Sequence, residues 1–160
     1  GLEEAVVRLL AEKGLTLSVA ESCTGGLLGQ LVTSVPGSSA VFYGGVIAYS
    51  NEWKTKGLGV PQELLDGPGA PGAVSAETAE AMAAGLLRLM GTDAAVAISG
   101  VAGPAHSEAK PVGLVYVALA ARGEPVRTDR LNLTGGRDGI RLRAARHALY
   151  RLWQWAKEKP

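Results

Sequence analysis

Segments with helical periodicity alternate with short apolar runs along this chain, and that alternation is the feature that most constrains its fold. Leu2, Val6 and Leu10 recur at helical spacing before Gly14, and the run "LTLSVA" after them predicts a buried strand. Helical patterns separate this strand from two more, "VFYGGVIAYS" and "AAVAIS". Two neighbouring strands, "GLVYVALAA" and "VRTDRLNL", come late, and a last helix covers about 137–156. We therefore expect an α/β fold, a three-layer α/β/α sandwich with a mixed, mostly parallel sheet.

The size and charge of the chain limit the classes of function that it could serve. Its 160 residues predict a single domain over residues 1–160, with 47% hydrophobic residues to form a core. The formal net charge is only +1, which argues against nucleic-acid binding because phosphate neutralisation needs a basic excess. No apolar run approaches the ~20 residues of a membrane span, so no membrane partner is expected. The chain opens inside a helical pattern without an initiator methionine, and we therefore expect it to be a domain of a longer protein.

The few cysteine and histidine residues restrict metal and redox chemistry. Cys23 is the single cysteine, so no intramolecular disulfide can form, which fits a reducing cytoplasm. Together with His106 and His147, it cannot complete a familiar zinc site.

The segment "ESCTGG" stands between the first predicted strand and the next predicted helix. A helix N-terminus carries unpaired N–H groups and the positive end of the dipole, so this junction is expected to favour an anion. Open α/β sheets place ligands beyond the carboxyl ends of their strands. Two further polar loops, "YSNEWK" and "SGVAGP", follow the second and third strands, and we expect all three loops to converge on one site.

Two side chains of the first loop are candidate nucleophiles. A cysteine hydrolase needs a thiolate, usually made by a neighbouring histidine, so Cys23 is better interpreted as a small buried residue. Ser22 also needs a base, and Lys54, five residues after Tyr49, could share its cleft. Lowering a lysine pKa from ~10.4 to ~8 costs about 3 kcal/mol, which burial can supply. The alternative is a surface lysine and a tyrosine that packs at a strand end, and spacing alone favours that alternative.

Several other residues are weaker candidates. Ser39, in "PGSSAVF", is typical of a turn or a helix cap. Ser99–Gly100 and Gly103–Pro104 predict a backbone cradle for a ligand. Arg137 stands at a helix start, where its charge opposes the helix dipole, and a phosphate partner would explain it.

Together these segments resemble the C-terminal domain family of the competence/damage-inducible protein CinA, the nicotinamide-nucleotide amidohydrolases. The resemblance runs in the right order through nearly the whole chain: "AESCTGGLL", "VPGSSAVFYGGVIAYSN", "GAVSAETAEAMAAG", "AVAISGVAGP", "KPVG" and "GGRDGIRLRAARHAL". One departure is "AHSEAK", which stands where the family usually has a longer segment richer in glycine. Another is Gly136, where the family commonly has an aspartate before the late arginine.

The resemblance implies hydrolysis of the carboxamide of nicotinamide mononucleotide (NMN) to nicotinic acid mononucleotide and ammonia. It implies a site of Ser22, Lys54 and Tyr49, with Ser39 as a further active-site serine. It also implies no metal or cofactor, a cytoplasmic setting and a homodimer. In longer members an N-terminal domain with pyrophosphatase activity precedes this one. The residues expected to hold the substrate are Thr24, Gly25, Gly26, Ser99 and Arg137.

In the reaction that this site implies, Ser22 attacks the amide carbon and Lys54 takes the hydroxyl proton. Tyr49 is expected to orient Lys54 and to help protonate the departing ammonia, and amides of the glycine loop to stabilise the oxyanion. Either Ser22 or Ser39 is the nucleophile, and Ser22 is favoured. The rival hypothesis is a catalytically silent nucleotide-binding or protein-interaction module linked to DNA uptake or repair.

Overall fold

One five-stranded sheet organises the computed structural model, which describes all of residues 1–160. Its strands are β1 (Leu17–Glu21), β2 (Phe42–Ile47), β3 (Ala94–Gly100), β4 (Leu114–Ala121) and β5 (Arg127–Asn132). Their order is β2-β1-β3-β4-β5. β1 pairs in parallel with β2 and β3, whereas the β3–β4 and β4–β5 pairs are antiparallel. All strands but β4 thus run in one direction, which confirms the mixed, mostly parallel sheet.

Helices cover both faces of the sheet, as the three-layer prediction requires. They are α1 (Leu2–Glu12), α2 (Leu27–Thr33), α3 (Asn51–Leu58), α4 (Gln62–Leu65), α5 (Ala76–Met90) and α6 (Arg137–Lys157). Buried residues of α1, α2 and α6 form one core cluster with the sheet, and buried residues of α3, α4 and α5 form a second on the opposite face. None of the helices is both long and apolar enough to cross a membrane.

The two faces of the sheet differ in side-chain size. On β3, Val96 and Ile98 pack in the cluster of α1 and α6, whereas Ala95 and Ala97 face α5. Alanine on this face lets α5 lie close to the sheet. α5 also touches α3 through backbone, since a Cβ on Gly85 would lie 1.8 Å from the carbonyl oxygen of Leu58. Glycine is therefore required at that position.

The strand ladders continue into the loops at one edge of the sheet. The Ser22 N–H donates to the Ile98 carbonyl at 3.0 Å, and the Ala48 N–H donates to the Glu21 carbonyl at 2.8 Å. These bonds tie the ends of β1, β2 and β3 together. As a result, the three polar loops after these strands start from neighbouring positions.

Candidate active site

A cleft of about 330 Å³ lies at this edge of the sheet and is bordered by all three loops. The first loop contributes Ser22 and Cys23, the second contributes Tyr49 and Lys54, and the third contributes residues 99–103. The predicted convergence of the three loops is confirmed. Its cause is the parallel pairing of β1 with both neighbours, which places their carboxyl ends side by side.

Ser22 and Lys54 meet inside this cleft. The distance between Ser22 Oγ and Lys54 Nζ is 3.0 Å, which is hydrogen-bond distance. α3 carries Lys54 inward, and its N-terminus is fixed by Ser50, whose hydroxyl accepts the Trp53 N–H at 3.0 Å. A serine and a lysine that are 32 residues apart in sequence thus form a direct pair.

Lys54 is one of the most buried side chains of the protein, with 1% of its surface exposed. Burial lowers the pKa of its amine, because the charged form loses hydration, while Cys23 and Glu108 act electrostatically in the opposite direction. The amine forms no salt bridge, and its second hydrogen-bond partner is the Tyr49 carbonyl oxygen at 3.1 Å. A neutral amine suits these surroundings, since it can donate to Tyr49 and accept from the Ser22 hydroxyl.

Tyr49 contacts Lys54 through its backbone and not through its phenol. Its side chain is 62% exposed, and its hydroxyl accepts a hydrogen bond from Arg137 Nη2 at 3.4 Å. The expectation that the phenol orients Lys54 therefore needs correction, because the carbonyl is the group of Tyr49 that contacts the amine. Arg137 also donates to the Gly103 carbonyl, which places its guanidinium on the cleft lining.

Cys23 borders the cleft, but burial outweighs the effect of the neighbouring cations Arg141 and Lys54, which favour its thiolate. The residue is 6% exposed, and burial raises the pKa of its thiol to about 11. Neither histidine contacts it, since His147 pairs with Asp129 at 2.7 Å and His106 is exposed. These surroundings fit the interpretation of Cys23 as a small buried residue.

The junction between β1 and α2 already contains an anion of its own. The buried Glu21 carboxylate accepts the N–H groups of Leu28 and Gly29, each at 2.9 Å. The N–H of Leu27 donates to the Thr24 carbonyl at 3.0 Å. The prediction that this helix N-terminus would bind an external anion is therefore wrong, because the chain supplies the carboxylate.

The structure does not bring the three expected substrate residues of the first loop to the cleft. Thr24 is fully buried, its hydroxyl has no hydrogen-bond partner, and neither it nor Gly25 nor Gly26 lies on the lining. Arg141 holds this part of the loop: its Nε donates to the Cys23 carbonyl at 3.1 Å and its Nη2 to the Thr24 carbonyl at 3.0 Å. These contacts fix the loop that presents Ser22.

Ser99 lies on the lining, where its hydroxyl donates to the Ala73 carbonyl at 2.7 Å. It therefore positions the segment before α5, which forms one wall of the cleft. The loop "AHSEAK", which differs from the usual family pattern, holds the same wall. Its Glu108 carboxylate accepts the N–H of Ala73 at 2.7 Å and that of Val74 at 3.0 Å.

Ser39 lies far from this cleft. It is an exposed residue of the 3-10 turn Ser38–Ala40, which precedes the first residue of β2. The cleft lies beyond the last residue of β2, and a strand of 6 residues spans about 20 Å. The structure thus separates Ser39 from Ser22 and Lys54.

Sequence reasoning missed Arg141, Glu108 and Asn51, which all contact or border the site. Arg141 follows Arg137 by four residues and so shares its helix face, which is a signal that the sequence contains. Glu108 lies inside the loop singled out for departing from the family pattern. No group of three or more His, Cys, Asp or Glu side chains could hold a metal ion.

The fold and the cleft define a three-layer α/β protein with a serine–lysine pair beyond its first strand. The model of the CinA C-terminal domain matches residues 1–155, and the chain belongs to that family. A putative competence-damage inducible protein of Symbiobacterium thermophilum is 54% identical over 157 residues, covering 92% of this chain and 36% of the relative. A CinA-like protein of Myxococcus xanthus is 49% identical over 150 residues, covering 93% and 35%. The chain thus spans about a third of the length of these relatives.

Solved structures show the same fold. A CinA superfamily protein from Klebsiella pneumoniae has a TM-score of 0.92 at 35% identity, with 98% of this chain and 96% of that chain covered. The competence/damage inducible protein CihA from Agrobacterium tumefaciens has a TM-score of 0.85 at 42% identity, with 95% and 94% covered.

Proposed function

We propose that this protein hydrolyses the carboxamide of NMN, giving nicotinic acid mononucleotide and ammonia. The observation that carries the proposal is the 3.0 Å contact between Ser22 Oγ and the amine of Lys54, which is buried and forms no salt bridge. A serine hydroxyl is a weak nucleophile until a base accepts its proton, and a lysine whose pKa is lowered by burial can be that base.

The reaction that we propose has two halves. Ser22 Oγ bonds to the amide carbon while its proton passes to Lys54, and the C–N bond then breaks as Lys54 returns that proton to the departing nitrogen, which leaves as ammonia. Water next attacks the ester and gives its proton to Lys54. The Ser22–carbon bond breaks, the proton returns to Ser22, and the carboxylic acid is released.

Backbone and basic groups of the cleft are the candidates for stabilising the oxyanion and for binding the substrate phosphate. Ala102 and Gly103 border the cleft, and their N–H groups have no hydrogen-bond partner within the chain, so these groups are our candidates for stabilising the oxyanion. One such donor contributes ~3 kcal/mol in comparable sites. Arg137, at the mouth, is the candidate for the substrate phosphate. The positive pyridinium ring makes the amide carbon more electrophilic and disfavours a second cation at Lys54.

Steady-state ammonia release from NMN tests this function. We expect Ser22→Ala and Lys54→Ala each to lose about 10²-fold or more, the usual contribution of a general base or nucleophile. Lys56→Ala is the matched lysine control, since this exposed residue lies on the same helix. Ser39→Ala is expected to retain full activity.

Three results would contradict these assignments. Retention of more than about a tenth of the rate in Ser22→Ala or Lys54→Ala would remove its assigned role. An inactive Ser39→Ala beside an active Ser22→Ala would move the nucleophile to Ser39. Binding of NMN by the unmodified protein without ammonia release would favour the silent binding module.

The wider setting belongs to the same proposal. We place the protein in the cytoplasm as a homodimer, and we infer an N-terminal pyrophosphatase-type domain in a longer parent protein. The partial coverage of its relatives, 36% of the length in the Symbiobacterium protein, supports a longer parent.

A further inference from the structure

Three charged residues border the cleft, and two of them are basic. Lys54 and Arg137 are the two basic residues, and Glu108 is the single acidic residue on the lining. The neighbouring Glu21 carboxylate is bound to α2 and does not reach the lining. One negative side chain therefore faces a space otherwise bounded by neutral and basic groups.

The Glu108 carboxylate is fixed before any ligand binds. Its Oε2 accepts the Ala73 N–H at 2.7 Å, and its Oε1 accepts the Val74 N–H at 3.0 Å. Burial alone would raise the pKa of Glu108, but these two hydrogen bonds and the nearby Lys110 outweigh burial and lower it. The side chain is thus ionised at neutral pH in a defined position.

The backbone on both sides of this carboxylate is shaped to accept it. Gly72 has φ +92, and a Cβ there would lie 2.6 Å from Glu108 Oε1. Glu108 itself has φ 56 and Ala109 has φ 58, a region that non-glycine residues rarely adopt. Backbone strain of this kind concentrates at functional sites. The loop therefore holds Glu108 at the cleft against its own conformational preference.

Lys110 pairs with this carboxylate from outside the lining of the cleft. Its Nζ donates to the carbonyl oxygens of Pro71 and Val74, both at 2.5 Å, and lies 3.3 Å from Glu108 Oε1. Lys110 is absent from the lining, whereas the Glu108 side chain borders the cleft with 26% of its surface exposed. A ligand in the cleft therefore lies beside Glu108 and not beside Lys110, and the charge of Glu108 also acts electrostatically on Lys54 inside the cleft.

Tyr49 supplies a second feature that favours a cation, since its exposed aromatic ring lies on the same lining and ring faces attract cations. Resting on the function proposed above, we propose that Glu108 makes the cleft select carboxamides carried on a cationic ring over those on a neutral ring. The substrate class is then N-substituted pyridinium carboxamides. Neutral amides of the same shape lack the attraction to this carboxylate.

Binding of two matched ligands to Ser22→Ala, which prevents turnover, tests the inference. NMN and its 1,4-dihydro form share phosphate, ribose and carboxamide, and they differ in the charge and the aromaticity of the ring. Titration calorimetry at pH 8 is expected to show about tenfold tighter binding of the charged ring, a modest coupling for close charges in a cleft. Adding Glu108→Gln is expected to reduce the ratio to about twofold, the part left to Tyr49.

Lys110→Met is the matched control, because it disturbs the same loop and leaves the carboxylate in place. We expect it to keep the preference for the charged ring. A merely structural role of Glu108 would weaken both ligands equally and leave their ratio unchanged. If Glu108→Gln does not fold, Glu108→Asp, which withdraws the charge by one methylene, is expected to give an intermediate ratio.

Several results would overturn the inference: equal affinities in Ser22→Ala, no binding of either ligand, a ratio unchanged by both Glu108 variants, or a ratio lost in Lys110→Met. Failure of the proposed function is measured separately. It would appear as no ammonia release from NMN by the unmodified protein, whereas the binding ratio is recorded without turnover.

Discussion

Replacement of Lys54 by methionine would separate what this residue costs the fold from what it contributes to the proposed reaction. The side chain is 1% exposed and makes two hydrogen bonds, to Ser22 Oγ and to the Tyr49 carbonyl. No carboxylate forms a salt bridge with it. Methionine is similarly long and flexible and has no charge to desolvate. The substitution therefore removes a buried amine while keeping the space filled.

Opposing contributions to the free energy of unfolding set the size of the effect. Loss of the two hydrogen bonds costs about 1 kcal/mol each. Against this, burial of an ionisable group without a counter-ion costs several kcal/mol, and a buried thioether adds roughly 1.5–3 kcal/mol of apolar burial. We expect a net stabilisation of about 1–3 kcal/mol at pH 7. At about 3 °C per kcal/mol for a chain of this size, the Tm should rise by roughly 3–9 °C.

The stabilisation should depend on pH in a defined direction. Burial lowers the pKa of Lys54 from its ordinary 10.5, so between the lowered pKa and 10.5 the unfolded chain binds more protons than the folded one. The unmodified protein therefore gains stability as the pH rises through this interval, and loses it as the pH falls. Lys54→Met has no amine to titrate there. The stability difference between the two proteins is expected to shrink as the pH approaches 10.5.

Urea unfolding at pH 7 and near pH 10 measures this difference, and ammonia release measures the activity. We expect Lys54→Met to be more stable than the unmodified protein at pH 7 and to release no ammonia from NMN. Lys56→Met, an exposed change on the same helix, should alter neither property. A variant destabilised by more than about 1 kcal/mol would refute the dominance of desolvation. A stability difference independent of pH would refute the lowered pKa.

Two further substitutions test the scaffold around the site. A Gly→Ala change usually stabilises a helix by about 1 kcal/mol. Gly85→Ala should instead destabilise the protein by about 2–3 kcal/mol in urea unfolding, because the new Cβ would lie 1.8 Å from the Leu58 carbonyl oxygen. A rise in stability would show that α3 moves freely. Arg141→Ala removes two hydrogen bonds to the loop of the proposed nucleophile and should lower kcat about tenfold with little change in KM. Steady-state kinetics measures both constants, and Arg146→Ala, a change at an exposed arginine of the same helix, is the control. The same loss of kcat in Arg146→Ala would contradict the assigned role of Arg141.

The arrangement of the sheet could be read from the sequence because it depends on local periodicity. The pattern before Gly14 and the alternation that follows it predict α1, α2, α5, α6 and the five strands, whereas they do not predict the short helix α4. The late pair of strands predicts the antiparallel edge, β4 and β5. The segment "NEWKTKGLGV", expected as a turn or a short helix, is α3, whose start is fixed by the Ser50 hydroxyl.

The details of the site depend on contacts between distant segments, which periodicity does not encode. Spacing favoured a surface position for Lys54, whereas α3 turns it into the cleft against Ser22. The glycine loop looked open to an anion, but Glu21 sits seven and eight residues before the amides that it binds. Tyr49 contacts Lys54 through its carbonyl, and the spacing of the two residues in sequence does not distinguish this contact from one through the phenol.

The alanine face of the sheet links the interior of the protein to the width of its cleft. α5 rests on this face, and it begins two residues after the segment Ala73–Val74, which Ser99 and Glu108 hold as a wall of the cleft. A bulkier side chain at Ala95 or Ala97 would lift the whole helix, and the wall would move with it. Residues that no substrate ever touches can thus act as spacers that set the size of molecule the cleft admits.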